Sequence, residues 1–302
     1  MQSAIASSTA PDLSGCGSAT LHPLSPVFGA EIRGLQVAAG VGDEQMRFVR
    51  DSVHRYSLIV LRDQQMSPQQ QVEFSKRFGP PLRVSIFAGV NPPGVRELTI
   101  VSNIVREGKP VGVRDAGALW HTDGSYLARP DLYTALHALE VPHRDGRALG
   151  DTAFASTAAA FDALPLDLKQ RIKGRRAVHS LAHHMAMRKK ANFRVPPVAP
   201  DSSNPDVDHP IVRTHPITGR KCIYVTEGHT KCVVGLSDDE SHDLLQTLFA
   251  HLMRPEFHYR HNWRVNDLVV WDNCATQHLA ITDYGDIPRM LYRAGMEGPV
   301  PV

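Results

Sequence analysis

A histidine and an aspartate lie two positions apart in the stretch 120–126, as His121 and Asp123. If this stretch includes a strand or a strand end, residues two apart point to the same side and can reach one metal ion together. A second imidazole is available far downstream at His278. Two histidines and one carboxylate on one face of an octahedron suit Fe(II) and leave positions open for other ligands. The pattern therefore predicts an Fe(II) site made of these three residues.

Two arginines follow the distal histidine, Arg289 at 11 positions and Arg293 at 15 positions after His278. An HxD pair alone is a weak signal, but this combination resembles the taurine dioxygenase and phenoxyalkanoate dioxygenase (TauD/TfdA) family of Fe(II)/2-oxoglutarate enzymes. In that family an HxD pair, a distal histidine and arginines at these two offsets recur. The resemblance extends from about Leu21 to Glu297.

The resemblance implies a mainly β fold with flanking helices, a double-stranded β-helix (jelly roll, cupin-like) with the metal in the mouth of the barrel. Short predicted strands separated by turns, with helices early and between them, fit that architecture. The implied cofactors are Fe(II) and 2-oxoglutarate, with molecular oxygen as co-substrate. The implied reaction couples decarboxylation of 2-oxoglutarate to succinate with oxidation, most often hydroxylation, of a C–H bond of a small molecule.

The far carboxylate of 2-oxoglutarate requires a rigid cationic fork, which arginine supplies and lysine does not. At the family offset this residue is Arg289. Thr152 matches the threonine of a Gly-Asp-Thr motif in the family and is expected to donate a second hydrogen bond. On local sequence alone, a turn is the favoured interpretation of 150–152, which follows an insert at 143–149.

Arg293 lies four residues after Arg289, so on a strand both side chains face the same way. Two arginines inside a barrel need anionic partners, because an unpaired buried charge is costly. We therefore expect Arg293 to bind either 2-oxoglutarate or an acidic group of the substrate, with Arg83 as the nearest cationic helper. The alternative is a protein partner for Arg293, such as Asp272 or Glu297.

Other polar residues offer weaker signals. His229 follows a strand at a place where many relatives carry an aromatic residue, which makes it a candidate substrate contact and a departure from the family pattern.

The segment 80–119 is rich in glycine and proline and reads either as a substrate loop or as an edge insertion. A basic patch reads as a solvated face or loop rather than an anion site. Its members are His183, His184, Arg188, Lys189 and Lys190.

The composition sets broad limits. The chain has 302 residues, 42% of them apolar, and a formal net charge of +2. We predict a disordered leader over residues 1–19 and a single domain over 20–302. The charge balance gives no reason to expect nucleic acid or an anionic membrane, and no apolar run is long enough to span a bilayer. Four scattered cysteines indicate reduced thiols and a cytoplasmic protein. We expect a homo-oligomer, either a dimer or a tetramer.

Periodicity and end signals predict the main elements. Ser67 and Ser237 are each predicted to cap a helix through a capping box, and 191–209 is predicted to be an exposed loop. Predicted helices cover 43–56, 67–79, 157–164, 166–172 and 237–252. Predicted strands cover 57–61, 97–102, 132–141, 221–226, 267–272 and 289–293.

Two other functions compete with the oxygenase. A Zn(II) hydrolase could use a similar His/Asp/His set, but it would not need two arginines after the distal histidine. A jelly-roll binding protein with a decayed site is disfavoured by the intact set. Within the oxygenase class the substrate could instead be an amino acid or a biosynthetic intermediate. The outcome of the oxidation, whether hydroxylation, desaturation or cleavage, stays open.

Overall fold

The computed structural model describes residues 18–84, 89–193 and 204–302. The predicted disordered leader lies outside these residues except for Ser18 and Ala19, and so does most of the predicted loop at 191–209. Within the described residues no helix has the length and apolar character needed to cross a membrane. Cys222, Cys232 and Cys274 are free thiols.

Six α-helices in the described residues flank the sheets. They are α1 (Asp43–Tyr56), α2 (Pro68–Lys76), α3 (Thr157–Asp162), α4 (Leu166–Ile172), α5 (Leu181–Lys190) and α6 (Asp238–Leu252). Ser67 and Ser237 cap α2 and α6 through the predicted capping boxes, each side chain accepting a hydrogen bond from the backbone three residues on. Short 3-10 helices cover Val37–Ala39 and Pro255–Phe257.

Nineteen strands are present in the described part of the chain. The first nine are β1 (Thr20–Pro23), β2 (Ala30–Arg33), β3 (Leu58–Leu61), β4 (Leu98–Ser102), β5 (Val105–Arg106), β6 (Lys109–Pro110), β7 (Asp131–Glu140), β8 (His143–Arg144) and β9 (Arg147–Ala148). The next five are β10 (Thr152–Ser156), β11 (Arg176–His179), β12 (Val207–Pro210), β13 (Val212–Thr214) and β14 (Lys221–Ile223). The last five are β15 (Thr230–Val233), β16 (His258–His261), β17 (Leu268–Asp272), β18 (Thr276–Ala280) and β19 (Met290–Glu297).

A seven-stranded sheet in the order β1-β2-β3-β17-β7-β19-β4 is the largest layer. A three-stranded sheet, β16-β10-β18, packs on it, with Phe154 of β10 against Trp271 of β17 at a ring-centroid distance of 5.4 Å. Alternation along β7 sends Thr134 and Leu136 toward this small sheet, whereas Tyr133 and Ala135 face the core beneath α1 and α2. The protein is therefore mainly β with flanking helices, and the space between the two sheets is where inward polar residues meet.

The predicted elements agree with the structure in most places. The helix at 43–56 and the helix at 166–172 have the predicted bounds, and the predicted strands at 97–102 and 132–141 appear as β4 and β7. The predicted loop at 191–209 is wrong at its end, because β12 begins at Val207 and pairs with β11. That strand has no apolar alternation of its own and is stabilised by its neighbour.

Candidate active site

His121 and His278 face each other across a short antiparallel bridge. The His121 amide donates to the His278 carbonyl at 3.1 Å, and the His278 amide donates to the His121 carbonyl at 2.9 Å. Residues that exchange both backbone hydrogen bonds lie directly opposite each other, with side chains on the same side. The two imidazole centroids are consequently only 4.1 Å apart.

Asp123 lies not on a strand but in the turn that follows this bridge. The strand premise behind the HxD prediction therefore holds for His121 only. The Asp123 carboxylate is instead positioned by long-range contacts, because its Oδ2 accepts a hydrogen bond from the Thr134 hydroxyl at 2.7 Å. Its backbone amide donates to Asn273 Oδ1 at 3.3 Å.

The three side chains converge on one point. Asp123 Oδ1 lies 3.6 Å from His121 Nε2, and Asp123 Oδ2 lies 4.0 Å from His278 Nε2. One potential ligand atom from each residue lies within 4.8 Å of the other two, and all three residues are buried. Among the described residues, no other group of three or more histidine, cysteine or acidic side chains has this geometry. The arrangement fits a single metal ion with two nitrogen ligands and one oxygen ligand.

The protonation states also suit a metal. His121 Nδ1 lies 2.8 Å from the Leu119 carbonyl, which can only accept, so Nδ1 carries the proton and Nε2 is left to bind. Burial and the neighbouring His121 hold the pKa of His278 well below its usual value. Burial opposes ionisation of Asp123, but Arg293 and the histidines outweigh it and keep its pKa well below the usual range. Neutral imidazole and ionised carboxylate are the forms that bind metals.

Aromatic rings orient His278. Its imidazole stacks on Phe154 at 5.8 Å and meets the edge of Trp271 at 4.8 Å. Its Nδ1 is buried and has no hydrogen-bond partner among the described residues. Packing rather than a hydrogen bond therefore fixes this ring.

Arg289 is buried and precedes β19 on the cavity wall. One of its nitrogens donates to the Gly150 carbonyl at 3.2 Å, and its guanidinium lies 5.5 Å from the Tyr284 ring centroid. Within the described ranges, no carboxylate lies within 4.0 Å of it. Burial lowers the pKa of Arg289, and Tyr284 partly offsets this. A buried cation with no carboxylate nearby is suited to an anionic ligand from outside the chain.

Thr152 begins β10 and lines the same cavity. Its hydroxyl oxygen accepts a hydrogen bond from the Trp263 indole nitrogen at 3.0 Å. Because an indole N–H can only donate, the threonine proton is left for another acceptor. Thr152 follows the Gly150 carbonyl that holds Arg289, so both residues present donors at the same end of the cavity.

Arg293 binds two protein carboxylates. It lies 2.7 Å from Asp131 Oδ2 and 3.1 Å from Asp123 Oδ1. The alternative of a protein carboxylate partner is confirmed, but its two named examples, Asp272 and Glu297, are wrong, because Asp272 binds His215 and Glu297 binds Arg129 and Arg83. The expectation that Arg293 needs an external anion to balance its charge is also wrong, because the carboxylates of Asp131 and Asp123 already bind it. Its side chain nonetheless keeps 23% exposure and lines the cavity.

Arg83 joins the same charge cluster from the other side. Its Nε lies 2.6 Å from Asp131 Oδ1, and its Nη1 lies 3.6 Å from Glu297. Asp131 is thus shared by two guanidinium groups, one from each side. A Cβ at Gly295 would lie 2.5 Å from Asp131 Oδ2, so the approach of Asp131 to Arg293 requires glycine there.

His229 lies on the cavity wall and is buried. Its ring stacks on His184 of α5 at 4.3 Å and lies 5.8 Å from the His121 ring. Burial and His184 hold the pKa of His229 well below its usual value. Burial and His121 lower the pKa of His184 to about 4. Both rings are therefore neutral at physiological pH and present flat aromatic surfaces beside the His121 ring.

The basic patch on α5 is only partly solvated. Lys189 and Lys190 are exposed, but His184 and Arg188 are buried and line the cavity, so the prediction of a solvated face is wrong for these two. Arg188 donates to the Asp115 carbonyl at 2.7 Å. It thereby ties α5 to the segment that precedes His121.

A cavity of about 170 Å³ collects these groups. Val113, Ala116 and Gly117 line it, and so do Thr99 and Val101 of β4 at the edge of the large sheet, so part of the 80–119 segment forms its wall. Residues 85–88 of this segment lie outside the described residues. Sequence reasoning missed Asp131, Thr134 and Asn273 near the cavity, and it assigned His184 and Arg188 to a solvated face. The only available signal was polar residues within or next to apolar strands, as at Thr134 and Asn273.

Comparison with known proteins places the chain in a family. Residues 20–294 match the family described as taurine catabolism dioxygenase TauD, TfdA family. The chain is 34% identical over 271 residues to an alpha-ketoglutarate-dependent 2,4-dichlorophenoxyacetate dioxygenase of Cupriavidus pinatubonensis, covering 86% of this chain and 91% of that protein. It is 30% identical over 261 residues to a pentalenolactone F synthase of Streptomyces arenae, covering 83% and 86%.

A solved structure agrees with these similarities. The crystal structure of a taurine dioxygenase from Burkholderia xenovorans superposes with a TM-score of 0.78 at 30% identity, covering 94% of this chain and 91% of that one. The family match spans the helices, the large sheet and all three converging side chains. The chain therefore belongs to the TauD, TfdA family and is an Fe(II)- and 2-oxoglutarate-dependent dioxygenase.

Proposed function

We propose that His121, Asp123 and His278 hold Fe(II), that Arg289 and Thr152 bind 2-oxoglutarate, and that the protein oxidises a C–H bond of a small organic acid. The convergence of two imidazoles and one carboxylate within 4.8 Å in a buried cavity carries this proposal. When bound, the iron and 2-oxoglutarate supply the oxidising chemistry from molecular oxygen, with succinate as a product.

The residues of the chain bind and orient. Arg289 offers a buried guanidinium to the far carboxylate of 2-oxoglutarate, and the free proton of Thr152 offers a second donor to the same group. His229 and His184 present neutral ring faces to the body of the substrate. Phe154 and Trp271 keep water away from the His278 ring.

The partners of Arg293 support an acidic substrate. If Asp123 binds the metal, Arg293 keeps Asp131 as its protein carboxylate, and it shares Asp131 with Arg83. The positive charge of Arg293 is then only partly balanced. An anionic group of the substrate would balance this charge at Arg293, whose side chain is partly exposed toward the cavity.

The named relatives point in the same direction. The names 2,4-dichlorophenoxyacetate dioxygenase and taurine dioxygenase both refer to small anionic or zwitterionic molecules. The similarity to a pentalenolactone F synthase favours the second candidate, in which the substrate is a biosynthetic intermediate. Both candidates use the same metal and co-substrate residues.

The test is a substrate panel read by succinate formation with Fe(II) and 2-oxoglutarate. The panel pairs small carboxylates, sulfonates and sulfate esters with their neutral esters or amides. We expect the neutral member of the active pair to lose about 30-fold or more in kcat/KM, since losing a partner of a buried charge costs about 2 kcal/mol or more. His278→Ala serves as the inactive control.

Arg293→Ala should reduce the discrimination between acid and ester while leaving the 2-oxoglutarate KM largely unchanged. If this variant instead fails mainly in 2-oxoglutarate affinity, both arginines serve the co-substrate and the acidic substrate is rejected. Equal turnover of acid and ester by the unaltered protein would also reject it.

We also propose that residues 20–302 form one jelly-roll domain of the double-stranded β-helix type. This is supported by the large sheet, which unites β1 near one end of the chain with β19 near the other, and by the small sheet packed on its face. A homo-oligomer, either a dimer or a tetramer, and a cytoplasmic location stay predictions from the sequence.

A further inference from the structure

The Asp123 carboxylate is held by a series of three hydrogen bonds, which runs from Trp271 through Asn273 and Thr134. The side chains of this series come from two separate strands or from the residue next to one. Thr134 of β7 is fully buried and donates to Asp123 Oδ2 at 2.7 Å. Asn273 follows β17, is equally buried, and donates through Nδ2 to the Thr134 hydroxyl at 2.9 Å. The large sheet therefore reaches the candidate metal ligand through two polar side chains.

The direction of every bond in this series is determined. The Trp271 indole N–H can only donate, and it points to Asn273 Oδ1 at 3.0 Å, so the other end of the amide must be its donor end. The Asn273 amide nitrogen therefore donates to the Thr134 hydroxyl oxygen. Thr134 in turn donates its single hydroxyl proton to Asp123. The same Asn273 Oδ1 accepts the Asp123 backbone amide at 3.3 Å.

The two carboxylate oxygens of Asp123 are consequently not equivalent. Oδ2 accepts the neutral hydroxyl of Thr134 and lies 4.0 Å from His278 Nε2, whereas Oδ1 faces His121 Nε2 at 3.6 Å and Arg293 at 3.1 Å. The terminal torsion of an aspartate has a broad minimum, so a carboxylate in a turn needs such contacts to keep one orientation. Without the Thr134 hydroxyl, Arg293 would be the remaining strong attraction on the group.

We propose that Thr134 and Asn273 are positioning residues for the metal centre. Thr134 binds Oδ2 and keeps the Asp123 carboxylate in the orientation that brings it close to both His121 and His278, and Asn273 sets the direction of the Thr134 hydroxyl. This inference rests on the proposed function, in which Asp123 binds the metal. Outer-shell partners of metal ligands typically change metal affinity or activity about 10- to 100-fold when they are removed.

The experiment measures Mn(II) binding to the full chain by calorimetry, so the readout does not depend on turnover. Thr134→Val keeps the shape and removes the hydroxyl, and we expect it to weaken Mn(II) binding about 10- to 100-fold. Thr134→Ser restores the hydroxyl and should return the Kd to within a few-fold of the unaltered protein. Thr157→Val is the matched control, because its buried hydroxyl bonds the Cys274 carbonyl rather than Asp123.

An unchanged Mn(II) Kd in a folded Thr134→Val protein overturns the inference, and so does an equal loss in Thr157→Val. If Thr134→Val does not fold, Asn273→Ala decides the matter, since it should weaken Mn(II) binding several-fold and an unchanged Kd rejects the series of hydrogen bonds. Where both variants fold, their effects on Mn(II) binding should not add, because they interrupt one series.

Asp123→Ala separates this inference from the proposed function. If Mn(II) binding survives in Asp123→Ala, the assignment of Asp123 as a ligand is wrong. If Asp123→Ala abolishes binding while Thr134→Val and Asn273→Ala leave it intact, only the positioning role is rejected.

Discussion

Arg289→Met replaces a buried guanidinium by an apolar side chain of similar length. In the ligand-free chain, Arg289 has a carbonyl and an aromatic ring beside it but, among the described residues, no carboxylate within 4.0 Å. An unpaired buried charge is unfavourable, so its removal should leave the free energy of unfolding unchanged or raise it. The same substitution removes the proposed partner of the far carboxylate of 2-oxoglutarate.

The expected loss in 2-oxoglutarate binding is large. Truncating one partner of a buried, hydrogen-bonded charge pair costs about 2–5 kcal/mol, which corresponds to an increase in Kd of about 30-fold to several thousand-fold. Arg289→Lys should also be impaired, because a single ammonium cannot reproduce the planar fork. The Kd is measured by calorimetry with Mn(II) present, and the unfolding free energy by urea denaturation without ligand.

Arg293→Met is the matched control, four residues further along and on the wall of the same cavity. Arg293 binds Asp131 at 2.7 Å and Asp123 at 3.1 Å, so its removal leaves the buried Asp123 without a guanidinium partner and Asp131 with Arg83 alone. We expect this variant to lose about 3–5 kcal/mol in unfolding free energy without ligand. The two substitutions, four residues apart, should therefore have opposite or clearly unequal effects on the ligand-free protein.

Either of two results would refute the reasoning about Arg289. The first is an unchanged 2-oxoglutarate Kd in Arg289→Met. The second is a loss of ligand-free stability in Arg289→Met as large as that in Arg293→Met, which would show that Arg289 serves the fold.

Two further predictions concern stability and metal binding. Burial and the neighbouring His209 lower the pKa of His179 to about 3, so this residue stabilises the fold above about pH 6.5 and the contribution is lost as the pH falls. Between about pH 7.5 and about pH 4.5, the unaltered protein should lose about 3 kcal/mol more unfolding free energy than His179→Phe; equal losses by urea denaturation would contradict this. A Cβ at Gly117 would lie 3.1 Å from His121 Cε1, so Gly117→Ala should weaken Mn(II) binding about tenfold. Gly94→Ala, which has a similarly positive φ and no atom within 4 Å, should not; similar Kd values for the two variants would show that the His121 contact is unimportant.

The local part of the fold was predictable from the sequence. Ser67 and Ser237 cap their helices as predicted, because a capping box depends on residues three apart. The meeting of His121 with His278 was also expected, although the sequence could not show that a backbone bridge places them opposite each other. A local sequence pattern shows where a helix or strand begins and ends, but it does not show which other elements pack against it.

The partners of Arg293 were not predictable, because they depend on cross-strand register. Asp131 reaches Arg293 because β7 and β19 pair in a register that places Gly295 beside the Asp131 carboxylate. Gly295 has no side chain that would block this approach. In the same way, His184 and Arg188 looked like solvated residues of a basic helix, and only the docking of α5 turns them toward the cavity. Each error concerns a contact between elements that are distant in sequence.

The position of β19 has a consequence for how the chain folds. This strand lies between β7 and β4, so β4 has no neighbour in the large sheet until the last strand has been synthesised. Pairings between segments so distant in sequence form slowly, and an unpaired edge is exposed to aggregation in the meantime. His278, Arg289 and Arg293 also lie in this late-emerging part. A nascent chain that ends before β18 therefore lacks one of the three converging side chains as well as both arginines.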